Sequence, residues 1–203
     1  MPCKKYGKAG RIAARGAAVW VQEHDNPNRK TRFSLIAVEK DGVCYNIDSQ
    51  APNILAREWL ASGKAFPGSR ITDIHPEQKY GNSRFDLAFC QNGKRVFMEV
   101  KGVTLNQNGT GLFPDAPTLR GVKHVRELIE CQKEDYEAYV LFVVKFETAE
   151  RFMPNIARQP EFAAALLEAR NAGVHVMAAR CSVQPEQVEI VTEIPVELPE
   201  STD

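Results

Sequence analysis

Ser83-Arg84-Phe85-Asp86-Leu87-Ala88-Phe89-Cys90, then Gln91-Asn92-Gly93-Lys94, then Arg95-Val96-Phe97-Met98-Glu99-Val100-Lys101 reads as two strands joined by a tight turn. Asn-Gly between two alternating runs is a strong short hairpin signal. With Asn92 and Gly93 as the central turn residues, Gln91 faces Lys94, and counting outward sets Asp86 opposite Glu99. The alternation agrees: Leu87, Phe89, Val96, Met98 and Val100 share an apolar face, and Arg84, Asp86, Glu99 and Lys101 share the other. Two directly opposed carboxylates repel, with Cβ atoms roughly 5 Å apart. That spacing lets both hold one hard divalent cation. Lys101, two residues beyond Glu99, points to the same place.

The bland reading is a solvated hairpin face on which Lys101 offsets Glu99. The chemical reading is a metal site, because phosphodiester hydrolysis needs a cation to supply hydroxide and neutralise phosphoryl oxygens, with an ammonium adding electrostatic stabilisation. Asp, then Glu-x-Lys on the neighbouring strand, resembles the PD-(D/E)XK nuclease superfamily. That resemblance implies acids that bind Mg2+ or Mn2+ and a lysine that activates or orients water. The implied catalytic residues are Asp86, Glu99 and Lys101, with Asp86 and Glu99 as metal ligands.

Longer stretches carry a second resemblance. Tyr80-Gly81-Asn82-Ser83-Arg84-Phe85-Asp86, Glu99-Val100-Lys101-Gly102-Val103-Thr104-Leu105 and Leu112-Phe113-Pro114-Asp115-Ala116-Pro117-Thr118-Leu119-Arg120-Gly121-Val122-Lys123-His124-Val125-Arg126-Glu127-Leu128 occur in that order. Upstream stand Asp25-Asn26-Pro27-Asn28-Arg29-Lys30 and Pro52-Asn53-Ile54-Leu55-Ala56-Arg57-Glu58. Together they resemble the sugar fermentation stimulation protein A family, from about Val19 to Arg180. The resemblance implies an α/β (α+β) fold: a nuclease-like mixed sheet with flanking helices over residues 51–203, preceded by a small OB-like β region with a basic N-terminus over 1–50. It also implies a DNA-binding protein tied to the regulation of sugar, especially maltose, use in bacteria. Two departures stand out. The family pattern carries further strands and a Cys-Pro-Asn-Thr-Gly-type segment ahead of Val19, absent from Met1–Gly16, so the OB-like barrel is expected to be incomplete. Leu119 stands where an acid is expected.

The resemblance assigns a third metal ligand to an acid on the preceding helix, which here is Glu58; the alternative is an exposed glutamate paired with Arg57 or Lys64. Glu77 is a weaker substitute. Thr118 is placed to cap a helix whose first turns carry Arg120, Lys123 and His124, a phosphate-gripping arrangement. His124 is read as a general acid, a phosphate donor or a structural histidine, and Asp115 as a further ligand, its partner, or part of a rigid Phe-Pro-Asp turn. Arg84 flanks Asp86. Trp20, Tyr80 and Phe113 are base-stacking candidates, although Trp20 in a strand reads better as core. His24, His75 and His175 receive no role.

Composition bounds the rest. The 203 residues are 43% hydrophobic, enough for a packed core. No run approaches a membrane span, and the lysine-bearing N-terminus lacks a signal-peptide apolar core. Cys3, Cys44, Cys90, Cys131 and Cys181 lack metal spacing and are odd in number, which fits a reducing cytoplasm. The net charge of zero is uneven: through Arg32, eight basic residues against Glu23 and Asp25 give +6 and leave −6 for the remainder. Such a basic end suits phosphate contact, or is a solvated tail. Arg29, Lys30 and Arg32, between a turn and a strand, are its best-held members.

Hydrophobic periodicity predicts strands at 17–23 and 32–40, the latter turning at Asp41-Gly42 into 43–47. A helix opens at Pro52 with Ile54, Leu55, Trp59 and Leu60 on its apolar stripe and ends near Gly63. Residues 63–73 read as linker and 106–111 as an Asn/Gly loop. A helix over 118–133, a buried strand over 139–144, a helix over 161–171 closed by Gly173 and a strand over 174–179 then form a β-α-β unit. Two functions remain: a divalent-metal-dependent endonuclease acting on DNA or RNA, and a DNA-binding regulator that keeps a nuclease-like site.

Overall fold

The computed structural model describes residues 16–81, 83–134, 136–184 and 186–200. In chain order the elements are β1 (Val19–Glu23), β2 (Phe33–Lys40), β3 (Val43–Asn46), α1 (Ala51–Ala61), β4 (Ile71–Tyr80), β5 (Ser83–Gln91), β6 (Lys94–Val103), β7 (Leu105–Gln107), β8 (Thr110–Phe113), α2 (Leu119–Lys133), β9 (Glu137–Val144), β10 (Arg151–Pro154), α3 (Pro160–Asn171), β11 (His175–Val183) and β12 (Val188–Ile194). Left-handed turn residues set the local pairings. Asp41 and Gly42 (φ 53° and 73°) close β2 onto β3, and Asn92 and Gly93 (φ 52° and 89°) close β5 onto β6.

The main sheet has the order β12-β11-β9-β6-β5-β4. Its centre is parallel, β6 with β9 and β9 with β11, and its outer pairings are antiparallel. The expected nuclease-like mixed sheet is therefore present. A helix-covered parallel centre must be apolar on both sides, and β9 is buried from Ala138 to Val144. α2 and α3 cover one face with Val122, Val125, Leu128, Phe162 and Leu166 around Phe142, whose ring stacks on Phe152 at 3.9 Å between centroids. α1 covers the other face with Leu55, Trp59 and Leu60. β1-β2-β3 form a separate small sheet, tied to the main core by Val38 and Tyr45 and by a bond from Asn46 N–H to the Lys145 carbonyl (3.1 Å). Among the described residues no helix is long and apolar enough to cross a membrane.

Several expectations need correction. The linker reading stops too late: β4 begins at Ile71, and its Pro76 is tolerated because β4 is an edge strand. The Asn/Gly loop is a hairpin, β7 with β8, turning at Asn108 and Gly109 (φ 51° and 80°). β10, paired with β8, and β12, paired with β11, are further strands where none was expected. Ile54 is 46% exposed and leaves the apolar stripe of α1. Trp20 is only half-buried rather than core. Phe113 is core, packed on Phe142 and Phe162. Lys4, Lys5, Lys8, Arg11 and Arg15 lie outside the described residues.

Candidate metal and nucleic-acid site

The hairpin register follows the prediction from Gln91↔Lys94 as far as Leu87↔Met98, one pair short of Asp86 and Glu99. There the main-chain ladder ends, and the amide of Val100 donates to Asp86 Oδ2 instead (2.8 Å). The alternation slips at the same place: Phe85 packs in the same core as Ala88 and Phe97, and Leu87 and Phe89 in the other. Residues three apart reach one face only through a strand irregularity. The second hairpin face is not the solvated face of the bland reading. α2 lies over it, and Glu99 is only 2% exposed.

Asp86 is half-buried and accepts a second bond, from Asn53 Nδ2 of α1 (2.9 Å). Burial and the neighbouring Glu99 carboxylate push its pKa above the usual range, against the opposing pull of Val100, Lys101 and Asn53. Burial also pushes Glu99 up, but bonds and charge from His124 and Lys101 outweigh it and hold Glu99 below the usual range. Lys101 Nζ bonds Glu99 Oε1, and His124 Nδ1 lies 2.6 Å from the same oxygen. Arg120 Nε donates to His124 Nε2 (3.3 Å). A guanidinium has no acceptor, so Nε2 receives the bond and Nδ1 carries the proton given to Glu99. His124, 7% exposed, therefore positions Glu99.

Glu99 Oε2 is buried and has no hydrogen-bond partner among the described residues. A buried charged acceptor without a partner is costly. Beside Asp86, which Glu99 already makes harder to ionise, that oxygen is what a hard cation would coordinate. Two carboxylates suit Mg2+ or Mn2+, which are bound through one or two carboxylates with waters completing the shell. No group of three or more His, Cys, Asp or Glu side chains able to hold a metal exists among the described residues.

The structure does not bring Glu58 to this pair. It is on the exposed side of α1, five residues beyond Asn53 and so about 7.5 Å further along the axis. Asn53, read in the sequence only as part of a helix start, is the residue α1 delivers. Glu77 is exposed and pairs with Arg84 (3.2 Å). Thr118 caps α2 by accepting from Gly121 N–H (2.9 Å). Arg84, Arg120, Lys123 and His124 converge with Lys79 on a groove of about 630 Å3, floored in part by the 84% exposed Leu119. Lys79 was not foreseen, because its strand was not. The described contacts of Arg29 and Arg32 stay in the β1–β2 hairpin, to Ser34 and Glu23, and Lys30 is exposed. Tyr80 packs against Phe85 and Phe97.

The model of the sugar fermentation stimulation protein RE domain matches residues 50–187, and that of the SfsA N-terminal OB domain matches residues 3–47. A sugar fermentation stimulation protein homolog of Clostridium beijerinckii is 45% identical over 187 residues, covering 92% of this chain and 82% of that protein. One from Ruminiclostridium cellulolyticum is 42% identical over 195 residues, covering 96% and 85%. A solved structure, Pyrococcus furiosus SfsA in complex with Ca2+, superposes with a TM-score of 0.84 at 25% identity, covering 95% of this chain and 83% of that one.

Proposed function

The chain belongs to the sugar fermentation stimulation protein family, and from that premise we propose that it binds nucleic acid, DNA foremost, and hydrolyses its phosphodiester bonds using Mg2+ or Mn2+ held by Asp86 and Glu99. The observation that carries the reading is the buried Glu99 Oε2, without a hydrogen-bond partner among the described residues, beside Asp86. The Ca2+ of the Pyrococcus furiosus relative supports a divalent site. When bound, the cation supplies Lewis acidity at the phosphoryl oxygens and a more acidic water. Asn53 and the Val100 amide orient Asp86, and His124 with Lys101 keeps Glu99 ionised. Lys101 adds positive charge where negative charge develops. Lys79, Arg84, Arg120 and Lys123 give the strand a basic groove beside the acids. Residues 51–203 carry this chemistry, and residues 1–50 add an OB-like surface on which Arg29, Lys30 and Arg32 offer further phosphate contacts.

A second reading, a non-cleaving DNA-binding regulator of sugar use, is favoured by one observation: α1 presents Asn53 rather than an acid to Asp86. Conversion of supercoiled plasmid to nicked circles in Mg2+ or Mn2+, with single-stranded DNA and structured RNA alongside, separates the two. Cleavage that disappears with EDTA and in Asp86→Asn is the expected result. Salt-sensitive binding with no cleavage of any substrate sinks the nuclease reading and leaves the regulator.

A further inference from the structure

A cavity of about 300 Å3 opens beside Lys101, walled by Ser49 from the β3–α1 connection, Pro52 from the start of α1, Lys101 and Gly102 from β6, Asp115 from the β8–α2 connection, and Lys145. It stands at the carboxyl ends of β6 and β9, which run parallel; ligands of α/β sheets bind at such ends. Lys145 is 4% exposed, and its Nζ donates to the Asp48 carbonyl (2.7 Å), so its ammonium is fixed at the cavity wall. Gly102 lets Pro52 and Lys145 pack close at that wall: a Cβ there would stand 2.7 Å from Pro52 Cγ and 3.4 Å from Lys145 Cε. None of Ser49, Gly102 or Lys145 has a part in holding the carboxylate pair.

The lining chemistry is specific. The positive charge of Lys101 and Lys145 suits a phosphate. The volume is at the lower end of the roughly 300–1,000 Å3 of small-ligand sites, room for one nucleotide and too little for a stacked pair. A base inside a duplex has to be turned out of the stack to enter such a pocket, at least cost where it is already unpaired. We infer that this cavity seats one unpaired nucleotide of the substrate strand, its phosphate against Lys101 and Lys145, so that the protein selects single strands and frayed ends over intact duplex. The inference rests on the nucleic-acid reading above and deepens it by naming the substrate class.

The test is fluorescence anisotropy of a short fluorescein-labelled oligonucleotide, alone and annealed to its complement, in EDTA so that binding is read without cleavage. Wild type is expected to hold the single strand tighter by at least roughly tenfold. Ser49→Trp, an exposed loop position whose side chain would fill the mouth, is expected to bring the ratio near one while duplex affinity stays put. If that variant loses its cooperative melt, Ala116→Trp at the opposite wall, equally exposed, is read in its place. Equal affinity for the two forms in wild type, or a preference that survives the filled mouth, overturns the pocket assignment alone. Binding of neither form overturns the nucleic-acid reading with it.

Discussion

Asp86 and Glu99 are neighbours of one chemical type pushed in opposite directions. Asp86, raised by burial and by Glu99, is an acid whose ionised form destabilises the folded chain; that penalty is present at neutral pH and vanishes as pH falls below the ordinary 3.8. Asp86→Asn should therefore raise the melting temperature in EDTA at neutral pH, with the gain shrinking on acidification; a lower melting temperature at neutral pH would contradict the assignment. Glu99, held low by His124 and Lys101 despite its burial, has the reverse sign. Its stabilisation is complete above the ordinary 4.5 and is lost as pH drops through its folded value. His124→Ala should weaken divalent-cation binding by roughly 10–100-fold, the usual effect of losing a residue that orients a metal ligand. His124→Asn, whose amide can replace the Nδ1 donor, should recover part of it. Calorimetric titration with Mn2+ reads both variants, and equal loss in the two would assign His124 to packing alone.

At the scale of elements, the α2 cap and the β5–β6 turn make separate stability predictions. Thr118→Ala should destabilise by about 0.5–2 kcal/mol in urea, since Gly121 N–H loses its acceptor. Gly93→Ala should cost about 1–2 kcal/mol, because φ of 89° lies where a Cβ is penalised. A turn that tolerates alanine without loss would contradict the hairpin geometry. These two elements were readable because their signals are local: Asn-Gly between alternating runs, and threonine before an apolar helical pattern. β4 was not, because Pro76 and the left-handed Asp73 and Glu77 interrupt its alternation; an edge strand with a bulge permits all three. The β7–β8 turn at Asn108-Gly109 carries the same signal as Asn92-Gly93, but its flanking strands are only 3 and 4 residues long. Register alone put Asp86 and Glu99 near each other, although the ladder stops one pair short of them. The end of the ladder before Asp86, the burial of Glu99 under α2 and the arrival of Asn53 and His124 were not readable, because they depend on contacts 25 to 33 residues apart in sequence.

Across the whole molecule, zero net charge conceals a basic groove near an acidic pair, Glu99 buried and Asp86 half-buried. Nucleic-acid affinity should fall steeply with salt. Alanine at Lys79, Arg84 or Lys123 should each lower the slope of log K against log salt by about one if that side chain meets a phosphate; an unchanged slope in all three would place the strand elsewhere. Three layers, α1 on one face and α2 with α3 on the other, enclose the hairpin, with Asp86 bonded by Asn53 and the Val100 amide and Glu99 by His124 and Lys101. That arrangement gains nothing for a protein that only binds phosphates, since opposed acids repel them. Diffraction at the manganese absorption edge, from crystals grown in Mn2+, locates the cation without ambiguity. An anomalous peak bonded to Asp86 and to Glu99 Oε2 is predicted, and no peak there, with both carboxylates satisfied by protein groups, would contradict the metal site on which the proposed hydrolysis depends.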